Sequence, residues 1–141
     1  MKKLLIAILA TVMTQQAMAV NWFELGENTA GNKDYIDLDS IQADYLANGT
    51  PVMTAWTQTE YKQAQDAGNG KKFWSAKSFE YFDCHARKLT SEYIVGYDKQ
   101  DRAVASENNP YFSRYSSANW QRVVPDTVSE ALLNTVCLFA N

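Results

Sequence analysis

Hydrophobic and polar positions alternate along most of this chain, and alternation with a period of two marks half-buried strands. The pattern predicts strands at residues 21–25, 34–41, 52–61, 72–84, 88–97 and around 103–106. Turn chemistry separates them. The segment GENTAGNK at 26–33 is a turn-rich connection, Asn48-Gly49 is a hairpin signal, and polar residues 62–71, with Gly68 and Asn69-Gly70, read as a loop. Asp98 to Asp101 turns the chain again. Asn108-Asn109-Pro110 then breaks it, and an irregular aromatic stretch follows with Tyr111, Phe112, Tyr115 and Trp120.

The C-terminal end has a different period. Pro125 precedes Thr127-Val128-Ser129-Glu130, a capping-box pattern in which a hydroxyl and a carboxylate satisfy free N–H groups of a first helical turn. At 100° per residue Val128, Leu132, Leu133, Val136 and Phe139 fill one half of the predicted helix, and Glu130 and Asn134 lie opposite. Cys137 falls at the flank of the apolar half. About 12 residues make a rod ~18 Å long, enough to cover one face of a small sheet and only one. In strand 72–84, Trp74, Ala76, Ser78, Phe82 and Cys84 point one way, and Phe73, Phe79 and Tyr81 the other. If Cys84 is tied to the helix, the first set faces the core and the second lacks a covering layer. Scattered exposed aromatics or a bulge that shifts the register account for this, and so does a binding or dimerisation surface.

The N-terminus must be set aside before the rest is read as a fold. Met1-Lys2-Lys3 is a short basic start, residues 4–13 carry no charge, and Ala17-Met18-Ala19 offers small residues where a signal peptidase reads. A run of that length is too short for a bilayer core that needs about 20 residues. The expectation is a cleaved secretory signal over 1–19, followed by one exported domain over 20–141 with no later membrane-spanning run. The whole chain of 141 residues is 46% hydrophobic and 21% charged, as a foldable domain should be. Its formal charge is −3, and loss of Lys2 and Lys3 makes the mature form more acidic, which argues against nucleic acid as a partner. Both cysteines, Cys84 and Cys137, fall in the exported part, where oxidation is permitted. The readings are one disulfide or two buried thiols; a zinc site falls short of ligands with a single histidine.

Three motifs stand in order along the domain. Tyr35-Ile36-Asp37 is followed by Asp39-Ser40-Ile41, and Tyr81-Phe82-Asp83-Cys84 by Arg87. Trp120-Gln121-Arg122-Val123-Val124-Pro125 then leads to Glu130-Ala131 and Cys137. Together they resemble the surface-adhesin protein E domain of Gram-negative bacteria, over about residues 21–139. The resemblance implies an α+β fold, an antiparallel sheet of about six strands with one C-terminal helix packed on one face. It also implies a disulfide from sheet to helix, which maps onto Cys84 and Cys137. Founding members bind host extracellular-matrix and plasma proteins such as vitronectin, laminin and plasminogen, and can form homodimers. Surface-displayed adhesins of this type are lipoproteins, whereas this signal has no cysteine near its cleavage site to accept a lipid. A periplasmic or released location therefore stands beside a cell-surface one.

Residues 62–88 hold six basic side chains (Lys62, Lys71, Lys72, Lys77, Arg87, Lys88) against three acidic ones (Asp66, Glu80, Asp83). Lysines on an exposed hairpin guard its edge against aggregation; the functional alternative is a basic patch that docks acidic partners. On the second reading Lys71, Lys72 and Lys77, with Phe73, Phe79 and Tyr81, are the partner-binding set. Asp37 and Asp39, two apart on a predicted strand, would face one side about 7 Å apart, a spacing that overlaps that of inverting glycosidases. Strand and turn aspartates are common enough that this spacing alone identifies no site. His85 is the single histidine. It cannot serve a neighbouring Cys84 in an extended segment, so it reads as a surface strand residue. Asn48-Gly49-Thr50 also fits a glycosylation pattern, but its turn reading suffices. No phosphate-cradling loop or metal cluster is legible, so no cofactor is expected and the protein reads as a non-enzyme. The two functional readings are an exported binding protein for other proteins and a periplasmic accessory or small-ligand-binding protein of the same fold.

Overall fold

The computed structural model of the chain describes residues 20–140, so the expected signal segment lies outside the described residues. Eight strands form one antiparallel sheet: β1 (Trp22–Glu27), β2 (Lys33–Asp37), β3 (Gln42–Tyr45), β4 (Pro51–Asp66), β5 (Lys72–Asp83), β6 (Lys88–Tyr97), β7 (Ala103–Asn108) and β8 (Gln121–Arg122). The main order is β1-β2-β4-β5-β6-β7; β3 pairs with β4, and β8 with β6. Among the described residues one α-helix, α1 (Val128–Cys137), follows the strands. The fold is the expected antiparallel sheet with a single C-terminal helix.

The expected strand over 34–41 ends earlier. At Asp37 the carboxylate accepts from the Asp39 amide (3.1 Å) and caps a 3-10 turn over Leu38–Ser40. The chain then resumes in the same direction as β3, so β2 and β3 act as one interrupted strand along β4. In the other direction β4 runs past its predicted end. The pairing with β5 shifts register between Glu60 and Gln65, which lets an irregular strand continue to Asp66. Only residues 67–71 are left as the turn, where Gly68 and Gly70 take positive φ.

That shift corrects the predicted faces of β5. Alternation slips across Trp74, and a Cβ on Gly96 would meet the Phe73 ring at 2.9 Å. Gly96 pairs with Ala76, so Phe73 lies on the Ala76 face rather than with Phe79. Ala76 and Phe82 keep their predicted side.

Two apolar clusters follow. On one face Ile36, Met53, Ala55 and Phe82 pack against Leu132, Leu133 and Val136 of α1. Thr127 caps the helix by accepting from the Glu130 amide (3.3 Å), while the Glu130 carboxylate accepts from the Asp126 amide (2.9 Å). The helix is shorter than predicted, ending before Phe139, which is 53% exposed. Cys84 and Cys137 are joined by a disulfide that ties the end of β5 to the end of α1.

The second cluster corrects the idea that the reverse face is wholly uncovered. Leu46, Val52, Tyr81 and Trp120 bury one another there, with Phe79 and Phe112 against them. The irregular stretch 109–120 is a strap across half of this face. Ala47 and Asn48 amides donate to the Arg114 and Tyr115 carbonyls (2.8 and 3.1 Å), Ser117 donates to Asp83, and the Lys88 ammonium reaches the Ala118 carbonyl at 2.8 Å.

Candidate binding surfaces

The strap leaves the other half of the reverse face open. Register places Tyr35, Gln58, Lys77 and Val95 in one row, and Trp56, Phe79 and Tyr93 in the next. Trp56 and Phe79 rings stand 5.2 Å apart, and Phe79 meets Tyr81 at 5.5 Å, so an aromatic chain leads from the open half under the strap. The Lys77 ammonium lies 4.9 Å from the Tyr97 ring centre and 5.7 Å from that of Trp22. It is held between two π faces. Tyr35, Trp22, Trp56, Phe79, Tyr93 and Tyr97 are all half-buried: fixed by neighbours yet still reachable. The Tyr35 hydroxyl donates to Glu60 (3.2 Å); desolvation first, and the Glu60 charge second, raise its pKa above the ordinary phenol value.

Lys77 and Phe79 share this open face, but the other predicted partner-binding residues do not. Lys71 and Lys72 are exposed at the β4–β5 turn, beside Asp98 and Arg102 of the β6–β7 turn. There Arg102 is paired with Asp98 at 2.7 Å, so that end of the molecule is of mixed charge. Arg87 and Lys88 are engaged elsewhere: Arg87 binds Glu130 (2.8 Å) and Lys88 holds the strap. The basic run in the sequence is thus dispersed over several sites. Phe73 lies on the opposite face. Tyr81 is only 2% exposed, and the strap that covers it makes it a packing residue. Trp22, Tyr35, Trp56, Tyr93 and Tyr97 escaped the sequence reading because their common side depends on pairing between strands far apart in the chain.

Asp37 and Asp39 do not share a strand face, since Asp37 caps the turn that contains Asp39. His85 is exposed in the turn after β5 rather than within the strand. Among the described residues no group of three or more His, Cys, Asp or Glu is placed to hold a metal.

The helix face carries a cleft of about 610 Å³ between the β1–β2 turn, the sheet and the start of α1. Its floor holds two carboxyls flanked by hydroxyls. Thr57 donates to Glu80 (3.0 Å) and Thr59 donates to Asp34 (2.6 Å). Desolvation, opposed by the Thr57 bond and reinforced by Asp34, pushes Glu80 up to about 7. Desolvation also raises Asp34. Tyr61 is raised by desolvation and by the Asp34 charge.

Comparison with known proteins agrees with this architecture. The family model described as surface-adhesin protein E matches residues 22–138. Among solved structures, Haemophilus influenzae protein E is similar at 16% identity and a TM-score of 0.56, with 83% of each chain covered. Among curated proteins no sequence match is found. No helix of the described residues is long and apolar enough to cross a membrane.

Proposed function

Because the chain belongs to the surface-adhesin protein E family, we propose that it is an exported, non-catalytic binding protein that engages other proteins through the open half of its reverse sheet face. Family membership suggests an exported surface protein and a non-enzyme; host matrix and plasma proteins are the proposed partners. The observation that carries the reading is the band of half-buried rings around Lys77, with Trp22, Tyr35, Trp56, Phe79, Tyr93 and Tyr97 interleaved with Gln58 and Glu60. Large rigid rings with polar edges are what protein interfaces are enriched in. The exposed Lys71 and Lys72 at the end of the sheet would steer acidic partners rather than anchor them.

The test is binding of the mature protein to immobilised vitronectin, laminin and plasminogen, compared with Trp22→Ala, Tyr97→Ala and Lys77→Glu variants. At least one partner should bind, and each open-face variant should weaken it by about tenfold or more. Binding that survives all three substitutions unchanged rules out this surface. Protease shaving of intact cells tests the location, since a displayed protein is digested and a periplasmic one is spared.

A further inference from the structure

The cleft beneath the start of α1 has chemistry that the open face does not use. Each floor carboxyl spends one oxygen on a threonine, and its second oxygen, Oε2 of Glu80 and Oδ2 of Asp34, accepts no hydrogen bond among the described residues. Glu80 and Asp34 both line the cleft. Glu27 and Asp126 add carboxylates at the rim, and no lysine or arginine lines the cavity. Lys62 lies beside the β1–β2 turn, near Gly31, but outside the lining.

The positive end of the helix offsets this only in part. Thr127 accepts from the Glu130 amide, and the Asp126 amide that donates to Glu130 lies just ahead of the helix, which leaves the Val128 and Ser129 amides at the cleft wall. Among the side chains that line the cleft, every charged one is an acid. The walls are aliphatic, formed by Leu25, Leu89, Val128 and Leu132. Acceptors at the base with hydrocarbon above them fit a cationic head on a short aliphatic stem.

We propose that this cleft binds a small organic cation, an ammonium or guanidinium group on an aliphatic stem, with Glu80 and Asp34 as its two anchors and Thr57 and Thr59 holding them in place. The ligand is either a free amine or the side chain of a basic amino acid. Binding requires both carboxylates ionised. The titratable groups around the floor are Asp34 on β2, whose charge acts on Glu80, Tyr61 on β4, which is coupled to Asp34, and Glu27 at the end of β1 and Asp126 ahead of α1, which line the same cleft; from β6 only Leu89 lines it. All the titratable ones are acids, so each ionisation opposes the next. A bound cation relieves that repulsion, and affinity rises as pH climbs through neutrality.

The test is calorimetric titration of the mature protein at low ionic strength with agmatine, cadaverine and N-acetyl-arginine amide, at about pH 5.5 and about pH 8. Saturable binding that is stronger at the higher pH, and about tenfold weaker in Glu80→Gln and in Asp34→Asn, is expected. The two classes of probe distinguish a free amine from a blocked basic residue. If a variant fails to fold, the wild-type protein still decides the matter: carboxyl-carbon NMR should show agmatine lowering the pKa of Glu80. Absence of saturable binding by every probe in folded protein, or an unshifted Glu80 titration at saturating agmatine, overturns the proposal. Neither result touches the open face, which the matrix-protein assay tests separately.

Discussion

The Ser40 hydroxyl accepts the Trp56 backbone amide at 2.8 Å, across the gap where β2 gives way to β3. Along β4 the neighbouring residues pair with β2 from Thr57 onward and with β3 up to Thr54, so the Trp56 amide faces an interruption in the ladder. One side chain supplies the partner that the missing strand residue would have given. Ser40 also donates to the Asp37 carbonyl (2.7 Å), fixing the 3-10 turn to the strand beside it.

Ser40→Ala should therefore cost about 1–2 kcal/mol, the penalty for leaving a part-buried amide without a partner. Urea denaturation monitored by tryptophan fluorescence measures it; an unchanged midpoint would show that water replaces the hydroxyl without loss.

The disulfide closes a loop with a sequence separation of 53. Replacing Cys84 and Cys137 together with alanine should lower unfolding free energy by up to about 4 kcal/mol, from the entropy restored to the unfolded chain. Reduction of the wild-type protein should lower the thermal midpoint in the same direction. A variant as stable as wild type would mean that α1 packing alone, through Leu132, Leu133 and Val136, holds the helix down.

Glu80 sets a pH dependence whose sign is opposite to that of a salt-bridged carboxylate. Its folded-state pKa of about 7 lies above the ordinary 4.5, so the folded protein holds a proton that the unfolded chain has lost. Stability from this group is fully present below about pH 4.5 and declines as pH rises to about 7, by at most about 3 kcal/mol. Asp34 acts in the same direction. Glu80→Gln should flatten the stability profile between those limits and leave the variant more stable than wild type at about pH 8. Denaturation midpoints across the range decide it, and a wild-type profile that rises with pH would contradict the assignment.

Trp120 is 6% exposed, and its indole N–H is buried without a partner among the described residues. Its value is therefore in its rings against Tyr81, 6.0 Å between centroids, rather than in its polar atom. Trp120→Ala should cost about 3–5 kcal/mol and loosen the strap, while Trp120→Phe, which removes the unsatisfied N–H, should cost less than about 1.5 kcal/mol. Tyr111, 90% exposed on the same strap, should be replaceable by alanine within about 0.5 kcal/mol. Equal losses for Trp120→Phe and Trp120→Ala would place a hidden partner on the indole nitrogen.

Local chemistry carried a large part of this protein. The strand Lys88–Tyr97, the Asn48-Gly49 turn and the Thr127 cap could be read directly, because each is decided by residues within a few positions of one another. The two cysteines left a disulfide and a pair of buried thiols as readings, and motif order pointed to the family and through it to the bridge from sheet to helix. Tertiary pairing decided the rest. A side chain's face depends on register with a partner strand, and inserted residues at 61–64 shift that register, so Phe73 and Phe79 part company although the period of two predicts them together. Likewise, 109–120 has no period of its own, and its role as a cover arises only from hydrogen bonds to Ala47, Asn48, Asp83 and Lys88, which lie far away in the chain. The acidic cleft has the same origin: Asp34 and Glu80 are distant in sequence and isolated by pattern. They meet only because β2 and β5 both pair with β4, and the low-dielectric space beneath α1 then couples their charges.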